Sequence, residues 1–300
     1  MSWFYLALLA PLLYAIVNLI DDNLVRFVNK GPYFVATVAG IFGATPLISR
    51  LFIGTQPMSL KLTIFAVLAG FFTVLYYFFY LKALESEQPS IVIALFGLVP
   101  ATLPFLAHSI LHEQLIGAQI IGLAIVLIAS LGLVITDFKK LKFSKAIVLI
   151  LSSVVLLDAI SIMTKYVYQQ VPFYPAYMYF SVGMGLGGLY FLLVMLMTRG
   201  GNSFRQTRQS LKKFILLFII GELINLGAEI SLNLAVSRGP VSLVRVIESI
   251  QPIYVLLIAI LLYPVAPKYF REAAETGRTK KFILMGIIII GLIIIGVASK

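Results

Sequence analysis

Apolar runs long enough to cross a hydrocarbon core of about 30 Å recur along this chain from end to end, separated by short polar breaks. They fall near 3–24, 33–54, 61–83, 89–111, 115–136, 145–168, 174–198, 212–235, 240–263 and 281–299. The runs exceed 18 residues and do not alternate with period two, so the pattern predicts helices rather than the strands of a barrel. The expected fold is an all-α integral membrane protein of ten transmembrane helices, in two sets of five. The longest breaks, 199–211 and 264–280, read as basic loops too short for a soluble domain. The first run lacks a preceding basic segment and is longer than the apolar part of a signal peptide, so it reads as the first membrane helix.

One stretch of this pattern is spelled twice. Ala83 to Pro100 aligns without a gap on Ala235 to Pro252, a displacement of 152 residues. Each starts at an alanine, passes a charged break and a serine (Ser90, Ser242), and runs through an apolar segment to its proline. The same duplication lays Leu12-Leu13-Tyr14-Ala15-Ile16 over Leu156-Leu157-Asp158-Ala159-Ile160. The chain therefore divides into a first five-helix repeat, 1–138, and a second, 139–300.

Composition agrees with the pattern. At 61% hydrophobic, 12% charged and a mean hydropathy of +1.03, the chain does not suit a soluble monomer. The absence of cysteine excludes disulfides and thiolate metal sites. A net charge of +11 invites a nucleic-acid reading, but its placement says otherwise: 17 Lys and Arg follow helices 1, 3, 5, 7 and 9, against 5 on the opposite side. The positive-inside rule then puts the odd loops in the cytoplasm and both termini outside, in the plasma (cytoplasmic, or inner) membrane. No GxxxxGK[ST] loop is present, so energy comes from a gradient or transport is facilitated.

The ten-segment layout, with a late proline in each fourth helix, resembles the drug/metabolite transporter superfamily and specifically its EamA-like members. The residues that carry the likeness run from Ala83 through Pro100 and Glu113 to Gly117 and Gly122. In the second half they run from Pro240 through Pro252 to Gly286, Gly291 and Gly296. The resemblance implies two inverted repeats that export or import small metabolites by alternating access. Glu113 is not duplicated: Pro264 and Val265 stand where the first half has His112 and Glu113.

Ionisable side chains inside a bilayer cost about 2.5–3.5 kcal/mol each at a helix centre and call for a partner, water or a function. Helix 8 carries Glu222, Asn225, Glu229 and Asn233. Spacings of three, four and four put them on one face over about 16 Å, as a substrate-binding stripe or a set of interhelical hydrogen bonds. Helix 9 adds Ser242, Arg245, Glu248 and Ser249. There Arg245 either pairs with Glu248 one turn on, or meets an anionic substrate group or a helix 8 carboxylate. Helix 6 supplies Asp158, Ser161 and Lys165, the last near an end where it snorkels or lines the path. On helix 1, Tyr14, Asn18 and Asp21 share a face, and Asp22 closes the helix.

The displacement of 152 sets Thr73 on Asn225, Tyr77 on Glu229, Ile93 on Arg245 and Phe96 on Glu248. An aromatic wall (Tyr76, Tyr77, Tyr80, Phe96) is expected to face an acidic wall (Glu222, Glu229, Glu248, Asp158), unless the tyrosines merely pack. Excess carboxylate favours an amine-bearing substrate such as an amino acid, and Glu222 or Glu229 is placed to exchange protons. His108 and His112 with Glu113 lack the HExxH order, so no metal is expected. Gly183 and Gly187 form a GxxxG face, for packing within the bundle or at a homodimer contact.

A secondary transporter of a small polar metabolite fits best, and no enzyme is expected. The alternative is a flippase for a polyprenyl-linked amino-sugar head group. The expected partners are a small-molecule substrate and membrane lipid, without nucleic acid and without a cofactor.

Overall fold

A computed structural model gives the backbone of residues 2–27, 32–54, 56–85, 96, 98–134, 145–211, 215–262, 264 and 278–299. The described residues form helices joined by short turns and loops, without strands. The helices are α1 (Trp3–Phe27), α2 (Pro32–Gly43), a 3-10 helix (Thr45–Leu51), α3 (Leu60–Leu84), α4 (Val99–Leu111) and α5 (Gly117–Val134). There follow α6 (Lys145–Tyr168), α7 (Phe173–Leu211), α8 (Ile215–Arg238), α9 (Val241–Glu248), α10 (Gln251–Leu262) and α11 (Arg278–Val297). Seven spans among the described residues are long and apolar enough to cross a membrane; Val99–Leu111, Gly117–Ser130 and Ile283–Val297 are shorter apolar helices.

Most predicted boundaries hold to within a few residues, and the departures have local causes. The ninth predicted segment is two helices in one span, broken at Ser249–Ile250: Pro252 has no N–H for the carbonyl four residues back and stands in the first turn of α10, where none is needed. Pro100 stands in the same first-turn position of α4; of the predicted helix before it, residues 89–95 and 97 lie outside the described residues. The second segment leaves α-geometry after Gly43 and continues as the 3-10 helix with Pro46 in its first turn. Residues 199–211, expected as a loop, extend α7 as helix. At the end of α4, His112 takes the left-handed conformation (φ 54°, ψ 32°), and its N–H closes the helix on the Ala107 carbonyl.

Polar and apolar are distributed inside out relative to a soluble protein. Leu51, Phe52, Leu60, Phe105, Leu261 and Met197 are exposed, while Ser153, Asp158, Ser161, Thr164, Ser181, Ser231, Asn233 and Arg245 are buried. Several buried hydroxyls donate to the carbonyl four residues back, as Thr73 does to Ala69, Ser161 to Leu157 and Thr164 to Ile160. This satisfies them without water.

With lipid outside, close packing must hold the bundle. α3 lies against α6 and α7, α1 against α8, α2 against α7, and α5 against α11. Where α3 crosses α7, a Cβ on Gly70 would strike the Phe180 carbonyl, and one on Gly183 the Val67 carbonyl. Gly187 abuts Val74, so the GxxxG face of α7 is used inside the bundle, against α3. Gly122 and Gly291 bring α5 and α11 together in the same way.

Candidate substrate site

The polar stripe on α8 centres on Glu229. Tyr14 of α1 donates its hydroxyl to Oε2 at 2.7 Å, and Asn233, one turn along α8, donates Nδ2 to Oε1 at 2.8 Å. Asn233 is itself oriented, since its Oδ1 accepts from the hydroxyl of Tyr168 on α6 at 2.9 Å. The carboxylate is thus fixed by donors from α1 and α8, with α6 behind them.

Arg245 enters from α9, 8% exposed. Its Nη1 donates to Glu248 Oε2 at 2.6 Å, the pairing expected one turn apart, and its Nε donates to Ser161 Oγ at 2.8 Å. Arg245 and Glu248 also stand within electrostatic reach of Glu229, as does Tyr76 of α3. Both expectations for Arg245 therefore hold together: it pairs with Glu248 and faces a carboxylate of the eighth span. One turn before Ser161, Asp158 accepts from Thr102 Oγ1 of α4 at 2.7 Å and lies near enough to Arg245 to feel its charge. Glu229, Glu248 and Asp158 against one guanidinium leave two uncompensated negative charges when all are ionised.

The four residues of the expected aromatic wall contact one another. Tyr76 meets Tyr77 edge-on at 6.5 Å, Tyr77 stacks on Tyr80 at 6.1 Å, and Tyr80 meets Phe96 edge-on at 5.5 Å. Tyr76 joins this wall to the acids. Other expected residues lie farther out. Asn225 and Glu222 are half-buried on α8, one and two turns before Glu229, and Asn18 is exposed one turn beyond Tyr14. The side chains of Asp21 and Asp22 lie outside the described residues.

Three contributors were not found by sequence reasoning. They are Tyr168, which donates to Asn233, Thr102, which donates to Asp158, and Tyr177 of α7, which stands within electrostatic reach of Glu229. None carries a spacing signal, because each meets its partner across helices.

The turn between α8 and α9 is clamped by two charges. Glu113 accepts from the backbone N–H of Val241 at 2.7 Å and of Ser242 at 3.2 Å, at the start of α9. Lys165 Nζ donates to the carbonyls of Val236 at 2.9 Å and Gly239 at 2.7 Å. Each charge meets the helix end its sign suits. His108 Nδ1 lies 3.1 Å from the Glu113 carbonyl, and no cluster of metal-ligating residues exists among the described residues.

Residues 1–135 match the EamA-like transporter family, consistent with the drug/metabolite transporter superfamily that the chain's residues resemble. No curated protein matches. A solved crystal structure superposes with a TM-score of 0.68 at 17% identity, covering 97% of this chain and 95% of that one. At that identity the likeness is one of fold. The apolar helices and their candidate spans define an integral membrane protein, and its first 135 residues are similar to the EamA-like transporter family.

Proposed function

We propose that this protein is a secondary or facilitated transporter of a small polar metabolite bearing an amine, an amino acid being the simplest case. The observation that carries this is the membrane-embedded cluster of Glu229, Glu248 and Arg245, held by Tyr14, Asn233 and Ser161 and bordered by Tyr76. Its excess negative charge suits an ammonium group, its arginine a carboxylate, and the wall of Tyr76, Tyr77, Tyr80 and Phe96 a cation or side chain. Asp158, Asn225 and Asn18 line the approach, and Glu229 or Glu222 exchanges a proton during the cycle.

Movement is alternating access by two inverted five-helix repeats, 1–138 and 139–300, in the plasma membrane with both termini outside. Two features favour the duplication. Displacing α4 by 152 residues lays its first residue, Val99, on Gln251, the first of α10, and its Pro100 on Pro252. The packing also exchanges: α1 with α8 answers α6 with α3, and α1 with α10 answers α6 with α4. A site where the repeats meet is the arrangement such exchange requires.

The test is thermal stabilisation of the purified protein by amino acids, polyamines, amino sugars and polyprenyl phosphates, since a ligand of the native state raises its stability with occupancy. A water-soluble amine is expected to stabilise the wild type and to lose its effect in Glu229→Gln. Stabilisation by polyprenyl phosphates alone would replace this reading with the flippase.

A further inference from the structure

Asp158 stands apart from the hydrogen bonds that fix Glu229. It is 7% exposed; Oδ2 accepts from Thr102, while Oδ1 is buried with no hydrogen-bond partner among the described residues. A carboxylate oxygen without donors in a membrane interior is costly. Arg245 is the charge that acts on it, tied through Nε to Ser161, one turn from Asp158 on the same helix. The guanidinium thus lies within electrostatic reach of Glu248, Glu229 and Asp158 together.

The duplication gives this placement a pattern. Asp158 occupies the position of Tyr14, and Tyr77 that of Glu229. The positions of the tyrosine–carboxylate pair that joins α1 to α8 are thus filled on the packed helices α6 and α3 by Asp158 and Tyr77, with the acid on the other helix. The arginine is not duplicated: Ile93 occupies its equivalent position. Two acid sites share one base.

We propose that Asp158 is a second cation site, separate from Glu229, that takes a proton, and that Arg245 makes the two sites compete. The proposal rests on the amine-transport reading above. With a proton on Asp158, the side chain is neutral and Arg245 stays on Glu248, compensating the acids that would hold an amine. When the O–H bond breaks and the proton leaves to water, the carboxylate draws the guanidinium toward α6. Glu248 and Glu229 are then free for an ammonium group. One positive charge enters and one leaves, and the coupling is reciprocal: the amine expels the proton as the proton expels the amine.

The groups facing Asp158 permit this. Among the described residues, α9 offers Arg245 and α4 offers Thr102, with His108 exposed six residues farther along α4. On the remaining neighbours, Tyr76 of α3 and Tyr177 of α7 face Glu229, which is itself on α8.

The test uses the proton itself as the first probe. Infrared difference spectra of the full chain in lipid, between about pH 5 and about pH 9, report a titrating buried carboxyl by its C=O stretch. That band is expected to vanish in Asp158→Asn and to return, displaced, in Asp158→Glu. Its persistence in a folded Asp158→Asn protein would overturn the proposal. The second probe is phenethylamine, whose ammonium and ring suit the acids and the aromatic wall. Its affinity should be about 5- to 150-fold weaker in Asp158→Asn, the usual range for coupled sites, and its binding to the wild type should release a proton that the variant does not release. Equal affinity in both, with equal proton release, would refute the competition. A wild type that titrates at Asp158 yet ignores every amine would refute the amine site instead.

Discussion

Removing the carboxylate of Glu113 should loosen the helix that carries Arg245 and Glu248, although Glu113 touches neither. In Glu113→Ala, the N–H groups of Val241 and Ser242 lose acceptors at 2.7 and 3.2 Å. A hydrogen bond to a charged group contributes about 1.5–3 kcal/mol, and the longer bond adds less, so the expected loss is about 2–4 kcal/mol. α9 has eight residues and Pro240 as its N-cap residue, without a side-chain cap of its own, so nothing local replaces Glu113. The measurement is reversible unfolding in mixed micelles of wild type, Glu113→Ala and Glu113→Gln. The glutamine keeps one acceptor oxygen without the charge and should fall between the other two. Lys165→Met frees the carbonyls of Val236 and Gly239 at the other side of the same turn. Glu113 and Lys165 should therefore couple in a double-mutant cycle by at least about 0.5 kcal/mol. If Glu113→Ala unfolds within about 0.5 kcal/mol of wild type, as an ordinary surface change does, the carboxylate does not hold α9 and the reasoning fails.

Gly183→Ala should destabilise by at least about 1–3 kcal/mol, because the new Cβ would strike the Val67 carbonyl and lie 2.9 Å from the Phe71 nitrogen, forcing α3 and α7 apart. Gly117→Ala, with nothing within 4 Å, is the control, and unfolding in micelles reads both. Tyr14→Phe should lower stability by about 1.5–3 kcal/mol by taking from Glu229 Oε2 its 2.7 Å donor; a melting curve that superposes on wild type would show that the hydroxyl is dispensable.

Much of the fold was legible because a membrane span must be apolar over its whole length, a constraint visible residue by residue. α3 was expected over 61–83 and runs from Leu60 to Leu84; α6 was expected over 145–168 and has those ends. The break inside the ninth span was missed, since Pro252 was read only as a repeated marker and not as a first-turn residue. The extension of α7 through 199–211 was missed because its basic composition reads as loop. Of the candidate site, Glu229, Arg245, Glu248 and Asp158 stand out by charge where charge is costly and Asn233 by sharing the face of Glu229, whereas Tyr168 and Thr102 meet their partners over distances of 65 and 56 residues.

The sequence by itself determined that this chain lives in a membrane as helices and which of its apolar segments carry acids and bases. These follow from what each residue can tolerate in hydrocarbon, which is a local property. Only the tertiary structure decided that Glu229 is held by Tyr14, that Arg245 stands between Glu248 and Ser161, and that Lys165 and Glu113 clamp a turn. Helix periodicity fixes which residues share a face but not which faces meet. The rotation and height of each helix are set by close contacts such as Gly183 on Val67 and Gly122 on Gly291, between residues far apart in the chain.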